Sequence, residues 1–409
     1  MDTPAMREAG RELLSLALID ARNHTLQLVG RLAEGLDARA WVVPEWPEID
    51  PPLWELGHVG WFQERWIARN MQRQRGAQCD PRAPRLPSVE AQADAWWDDA
   101  QVPHDQRWSL GLQDLDEIKG FLLATLETTL ELLEKTREQD EPLYFYRLAL
   151  FHEDMHGEAL ITLAQTLGLA LPLDIPGPVA ARAPLLVPAM RWELGSPAQG
   201  FAFDNEREMH EVRIPEFEID AQPVNWSQFV EFVDDGGYDR SELWHADGWT
   251  WLQQQSVGTG QHMGGRAPRY VDQIGVASGA VMQTRFGSPR RMLGTQPAMH
   301  VSWWEADAWC RWAGRRLPAE VEWEAAVNAA ARRGFRWGEV WEWTASTFRP
   351  YPGFVVGPWQ DYSQPCFGSQ KVLRGASFAT RGRMKSPKFR RFEMPHTDHI
   401  FAGFRSCAA

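Results

Sequence analysis

His152 and His156 stand four residues apart in Phe151-His152-Glu153-Asp154-Met155-His156-Gly157-Glu158, inside a run that reads as helix. Positions i and i+4 lie one turn apart on the same helical face, so these two imidazoles can converge on one ion. A third imidazole, His58, lies far upstream in Leu53-Trp54-Glu55-Leu56-Gly57-His58-Val59-Gly60-Trp61-Phe62. That setting is apolar and aromatic, and a charged ring would be costly there. Three neutral imidazoles leave coordination positions open, which is what metal-assisted chemistry requires. Taken alone, a helical His pair is equally compatible with a structural or surface role, and Glu153, Asp154 and Glu158 with a solvated acidic face.

The elements that must position these residues are helical. Residues 6–36 carry apolar side chains at helical spacing (Leu14, Leu18, Leu28, Leu32), and residues 52–72 form a second helix opened by Pro51-Pro52 and carrying His58, Phe62 and Trp66. Residues 73–107 read as a long connection with a short helix near 88–99. Residues 113–136 are amphipathic, with Leu115, Ile118, Leu122, Leu126, Leu130 and Leu133 in one stripe, and 141–168 bear the histidine pair and stop at Gly168. Four antiparallel helices make a bundle, whose metal sites are built from inward-facing residues on neighbouring helices. The stretch from Leu169 to Pro188 holds prolines at 172, 176, 178, 184 and 188 and reads as an extended linker. The expected division is therefore a bundle over 1–170, a linker over 171–188 and a second domain over 189–409. That second domain is expected to hold short strands (Arg191–Gly195, His210–Ile219), two amphipathic helices (Trp226–Asp234, Trp303–Gly314) and long loops.

A chain of 409 residues suits two domains, and its formal net charge of −13 argues against a nucleic-acid partner. No apolar run approaches a membrane span, and Met1 to Gly10 lacks the apolar core of a signal peptide, so a cytoplasmic location is expected. The 4 cysteines (Cys79, Cys310, Cys366, Cys407) are scattered and read as reduced thiols. Tryptophan is abundant, at 22 residues against 6 tyrosines, and supplies core or faces for a cationic ligand.

Four blocks carry a family resemblance: Arg311-Trp312-Ala313-Gly314-Arg315-Arg316-Leu317-Pro318-Ala319-Glu320-Val321-Glu322-Trp323-Glu324, Val340-Trp341-Glu342-Trp343-Thr344, Leu373-Arg374-Gly375-Ala376-Ser377-Phe378 and Ala402-Gly403-Phe404-Arg405. Together they resemble the formylglycine-generating-enzyme (sulfatase-modifying factor) domain, a C-type-lectin-like fold. The N-terminal half resembles the DinB-like four-helix bundle, with His58 and the HxxxH pair at that family's metal positions. The pairing resembles the EgtB-like non-heme iron sulfoxide synthases of ergothioneine biosynthesis. It implies an α+β multidomain chain, with an N-terminal DinB-like four-helix bundle and a C-terminal formylglycine-generating-enzyme/C-type-lectin-like domain. It also implies Fe(II) held by His58, His152 and His156, O₂ as co-substrate, and bond formation at the imidazole C2 of hercynine. Val102-Pro103-His104-Asp105-Gln106-Arg107-Trp108 and the Phe401-Ala402-Gly403-Phe404-Arg405-Ser406-Cys407 ending resemble the selenoneine synthase subgroup. That subgroup implies a selenosugar donor, a C–Se bond and a selenoxide product passed to a downstream lyase. The alternative is a thiol donor, γ-glutamylcysteine or cysteine, and a C–S bond.

The departures from the ergothioneine pattern mark the candidate substrate contacts. Met155 replaces the Gln of His-Glu-x-Gln-His, and Arg391-Phe392-Glu393 replaces an Asn-Trp-Asp run. Trp359 stands near the position of the family's proton-donating tyrosine, with Tyr362 three residues on. Tyr362 is the candidate for proton transfer, or else a loop-packing phenol. Arg391 is a candidate carboxylate clamp, or else a partner of Glu393 or Asp398. Phe392 is a candidate face for the trimethylammonium. Arg82 and Arg85 are candidate donor contacts, or else members of a solvated loop. A copper-dependent formylglycine-generating oxidase needs a cysteine pair after Leu-Arg-Gly, and Gly375 to Arg391 contains none. A three-histidine zinc hydrolase and a non-enzymatic binding module complete the rivals.

Overall fold

A computed structural model describes residues 1–258, 265–275 and 279–409. The N-terminal half is a bundle of four long helices, α1 (Arg11–Leu36), α2 (Pro52–Trp66), α4 (Leu115–Glu134) and α5 (Asp140–Leu167), with a short α3 (Ala93–Trp97) inside the connection from α2 to α4. Local chemistry sets the ends. Pro52 opens α2 at a position where its missing N–H costs nothing. Asp114 and Glu117 form a reciprocal capping box on α4. Gly168, at φ +65°, ends α5 in the left-handed conformation. The expected helix over 52–72 stops at Trp66, and that over 6–36 is divided at Gly10 into a 3₁₀ turn and α1.

Gly57 has a distinct role. A Cβ there would lie 2.0 Å from the Trp97 ring, so only glycine lets α3 pack this closely on α2. Trp97 is fully buried and stacks on Phe121. The backbone of α3 is thereby pressed against the turn of α2 that carries His58.

The C-terminal half contains β1 (Leu185–Val187), β2 (Met190–Leu194), β3 (His210–Ile214), β4 (Phe217–Ile219), β5 (Val271–Gly275), β6 (Ala280–Arg285), β7 (Ser288–Met292), β8 (Arg315–Arg316), β9 (Trp341–Thr347), β10 (Lys371–Gly375), β11 (Arg391–Glu393), β12 (Ala402–Phe404) and β13 (Cys407–Ala408). Its helices are α6 (Trp226–Asp234), α7 (Ala246–Gly258), α8 (Trp303–Trp312) and α9 (Glu320–Ala329). The sheets run β1-β4-β13-β8, β11-β10-β9-β12, β2-β3 and β5-β6-β7. In the sheet nearest the site β9 is central, antiparallel to β10 and parallel to β12, and the β10–β11 register pairs Leu373 with Arg391. The fold is thus α+β, a helical bundle followed by a domain of small sheets and short helices. The single strand expected over His210–Ile219 is two strands in two sheets, because Pro215 lacks the N–H a continuous ladder needs. Residues 169–184 hold no regular element, and Leu185–Val187 already pair with β4. α7 and α9 are helices that the sequence pattern does not predict.

The two halves share one apolar core and are joined by buried charge. Arg383 makes a two-pronged pair with Asp154 of α5 at 2.6 and 2.9 Å, both side chains buried. Within the bundle Arg22 holds Glu153 at 2.8 Å. In the C-terminal half Arg405 pairs with Glu342, Arg374 with Glu324 and Arg390 with Glu320.

Candidate active site

His58 on α2 and His152 and His156 on α5 come together, with one ring nitrogen of each lying within 4.8 Å of the others. His152 Nε2 and His156 Nε2 are 3.0 Å apart. Outer partners orient two of the rings. His58 Nδ1 donates to the Trp97 carbonyl at 2.8 Å, and His156 Nδ1 to Glu55 Oε1 at 2.6 Å. Each such bond fixes the tautomer and directs the Nε2 lone pair toward the common centre. His152 lies flat on Phe62, with ring centroids 3.6 Å apart, and meets the Trp359 ring nearly edge-on at 5.3 Å.

Burial holds His58 down to about 4 and His152 well below the ordinary histidine range, and the neighbouring imidazoles push the same way. For His156 burial also acts downward, but the Glu55 carboxylate outweighs it and raises the ring above its usual value. Two buried rings held neutral, a third anchored by a carboxylate, and ring nitrogens converging on one point are the donor chemistry of a divalent transition-metal site. The three residues fit such an ion.

A cavity of ≈470 Å³ opens beside His156, between α5 and the C-terminal domain. Met155, Tyr362, Arg391, Phe392 and Glu393 all line it, so five residues singled out from the sequence meet at one surface. His104, from the connection between α2 and α4, also lines it and bonds the Ile49 carbonyl at 2.9 Å. Arg391 is engaged by Glu393 at 2.8 Å and lies 3.6 Å from Glu158, while Asp398 pairs with Arg269 instead. Phe392 stacks on Phe348 at 4.1 Å. Tyr362 stacks on Trp359 at 4.4 Å, which links it through Trp359 to His152. Burial keeps the Tyr362 phenol well above its ordinary pKa, so it stays protonated at neutral pH. Arg82 is exposed, and Arg85 bonds Asn70 at 2.7 Å and lies over the Trp66 ring; neither is among the described residues lining this cavity.

Sequence reasoning passed over several residues here. Glu55, one turn before His58, faces the same way, and its i−3 spacing was the available signal. The Trp97 carbonyl gave none, because a backbone acceptor carries no residue type. Glu153, Asp154 and Glu158 are buried rather than a solvated face. Glu158 accepts from Trp341 at 2.7 Å, Ser377 at 2.8 Å and Thr380 at 2.6 Å, tying α5 to the cavity's far wall.

Residues 178–339 and 336–409 match the family of sulfatase-modifying factor enzyme 1-like domains. The whole chain is similar to the hercynine oxygenase of Mycolicibacterium smegmatis, at 31% identity over 97% of this chain and 98% of that protein. The hercynine oxygenase of Mycobacterium tuberculosis is 30% identical over 96% of this chain and 98% of that one. The formylglycine-generating enzyme of Streptomyces coelicolor is 27% identical over only 50% of this chain. None of the described helices is long and apolar enough to cross a membrane. Similarity to the hercynine oxygenases extends through bundle and C-terminal domain alike, and this chain belongs to their family.

Proposed function

We propose that this protein is an O₂-dependent non-heme Fe(II) enzyme that joins hercynine, through its imidazole C2, to a selenosugar, giving a selenoxide. His58, His152 and His156 would hold the iron, which when bound supplies O₂ binding and activation at open positions. The overall balance needs no external reductant. Hercynine C2–H, the donor Se–H and O₂ give the C–Se bond, the selenoxide oxygen and one water.

The charge balance of the cavity carries this reading. Glu48, Asp50, Glu158 and Glu393 line it, while Arg391 is its one permanent cation among the described residues, already engaged by two carboxylates. His399, also lining it, is held down to about 3 by burial and stays neutral. An acidic, aromatic cavity favours a trimethylammonium substrate. It offers no free cation to the carboxylates of γ-glutamylcysteine, whereas a sugar donor asks only for hydrogen bonds. Phe392 faces the substrate cation, Arg391 can exchange Glu393 for the substrate carboxylate, and Met155 shapes the wall beside His156. Tyr362, protonated at neutral pH, is the proton donor within the cavity. The hercynine oxygenase relatives support hercynine as the substrate.

The test is anaerobic reconstitution with Fe(II), then hercynine and O₂ with a selenosugar or a thiol, products read by mass spectrometry. A selenium–hercynine adduct that disappears in His152→Ala supports the proposal. Adduct formation with γ-glutamylcysteine or cysteine alone would assign the thiol reaction instead. Absence of iron binding would sink both.

A further inference from the structure

Away from the three-histidine cavity, Arg285 at the end of β6 is a buried cation without a counter-charge. Among the described residues seven other arginines are buried (Arg22, Arg69, Arg147, Arg374, Arg383, Arg390, Arg405), and each is paired with a carboxylate. Arg285 is 3% exposed, and its partners are Met299 Sδ and His300 Nε2, both 2.9 Å from Nη1. Its Nε is buried with no partner. Burial pulls the guanidinium down to about 9, opposed by the Tyr270 phenol and by no carboxylate. An isolated buried charge is costly, and a bound anion would offset that cost.

Arg285 lines an open groove of ≈560 Å³ between the β6–β7 hairpin and residues 170–175. The hairpin register sets Arg285 opposite Ser288 and Gln283 opposite Arg290, so Arg290 lies diagonally beside Arg285 on the same face. Arg290 and Arg291 are exposed and also line the groove, and Asp174 is its one acidic residue among those described.

We propose that this groove binds a phosphate-bearing small molecule, with Arg285 as the buried anchor, Arg290 and Arg291 at the mouth and the Ser288 hydroxyl as a further donor. Guanidinium groups match phosphate oxygens two at a time, and the groove has room beyond the phosphate for an organic body. The site is separate from the histidine cavity and independent of the reaction proposed there.

Thermal unfolding of the full chain tests it, with inorganic phosphate, glycerol phosphate or chloride at matched ionic strength. The wild type is expected to gain Tm saturably with phosphate and not with chloride. Arg285→Met is expected to lose that response, yet to be at least as stable as wild type without phosphate, because an unanswered buried charge is gone. The surface double variant Arg290→Gln/Arg291→Gln keeps the fold and should weaken the phosphate midpoint by roughly tenfold or more. A stronger response to glycerol phosphate than to inorganic phosphate identifies an ester as the ligand; equal responses identify the free ion. Equal phosphate responses in wild type and Arg285→Met would overturn the proposal, as would a wild type indifferent to phosphate or saturated by chloride. Arg285 would then be a structural donor to Met299 and His300.

Discussion

The three-histidine site and the paired arginines of the C-terminal domain treat buried polar groups in opposite ways. At the bundle's site, burial strips charge from His58 and His152 and leaves them as directed lone pairs. At Arg374, Arg390 and Arg405 of the C-terminal domain charge is kept on burial, because each meets a carboxylate with matched geometry. The first arrangement makes ligands and the second makes rigidity. A neutral imidazole with one nitrogen committed has its other nitrogen to give, whereas a paired guanidinium has nothing left. The wall of the cavity nearest the histidines is accordingly helical, and the opposite wall consists of strands and loops pinned by ion pairs.

That contrast can be broken most directly at the ligands. His58→Ala should reduce bound iron to background and abolish turnover while leaving the far-UV helical signal intact. Stoichiometric iron in that variant would mean the three rings do not act together. Next in size, Glu342→Gln should destabilise the C-terminal domain by about 3–5 kcal/mol, since it strands buried Arg405. A denaturant midpoint unchanged from wild type would show that these pairs do not supply the rigidity. Glu55→Gln should lower iron affinity by roughly 10–100-fold, through loss of the His156 anchor, with little change in stability. A competition titration against a chelator measures it, and a large stability loss with unchanged affinity would reverse the assignment.

A pH-dependent effect concerns Glu305, which burial pushes up from 4.5 to about 7 against the bonds it accepts from Tyr238 and Ser302. Its folded state therefore binds the proton more tightly than the unfolded chain. That contribution is full below about 4.5 and is lost as pH rises toward about 7. Between those values stability should fall by up to about 1.4 kcal/mol per pH unit, and Glu305→Gln should flatten the slope. A parallel pH profile for the variant, followed by urea unfolding, would remove Glu305 from the account.

How much of this was legible beforehand follows from the type of signal. The four long helices, the shared face of His152 and His156 and the stripe of α4 follow from a 3.6-residue period, which survives without tertiary contacts. Helix α6 was readable over Trp226–Asp234 for the same reason, with Asn225 and Gln228 capping it. Strands of two to seven residues carry too little alternation to be ordered into sheets, so β9's central position and the splitting of β3 from β4 were not legible. α9, rich in glutamate, lacked a clean apolar stripe because Glu320 and Glu324 face buried arginines and Glu322 pairs with the half-exposed Arg316.

By itself the sequence determined which residue types were on hand and which of them share a helical face: two histidines one turn apart, a third in an aromatic helix, and four blocks that mark the second domain. Tertiary structure alone decided what each group does. It pressed Trp97 onto Gly57 and so delivered a carbonyl to His58. It turned Glu158 from an apparent surface acid into the bond between α5 and the cavity's far wall, and it gave Arg391 to Glu393 while leaving Arg285 unanswered. The physical reason is range. Helical periodicity is local and is written in consecutive residues, whereas charge state, hydrogen-bond partner and cavity wall depend on neighbours brought from tens to hundreds of residues away.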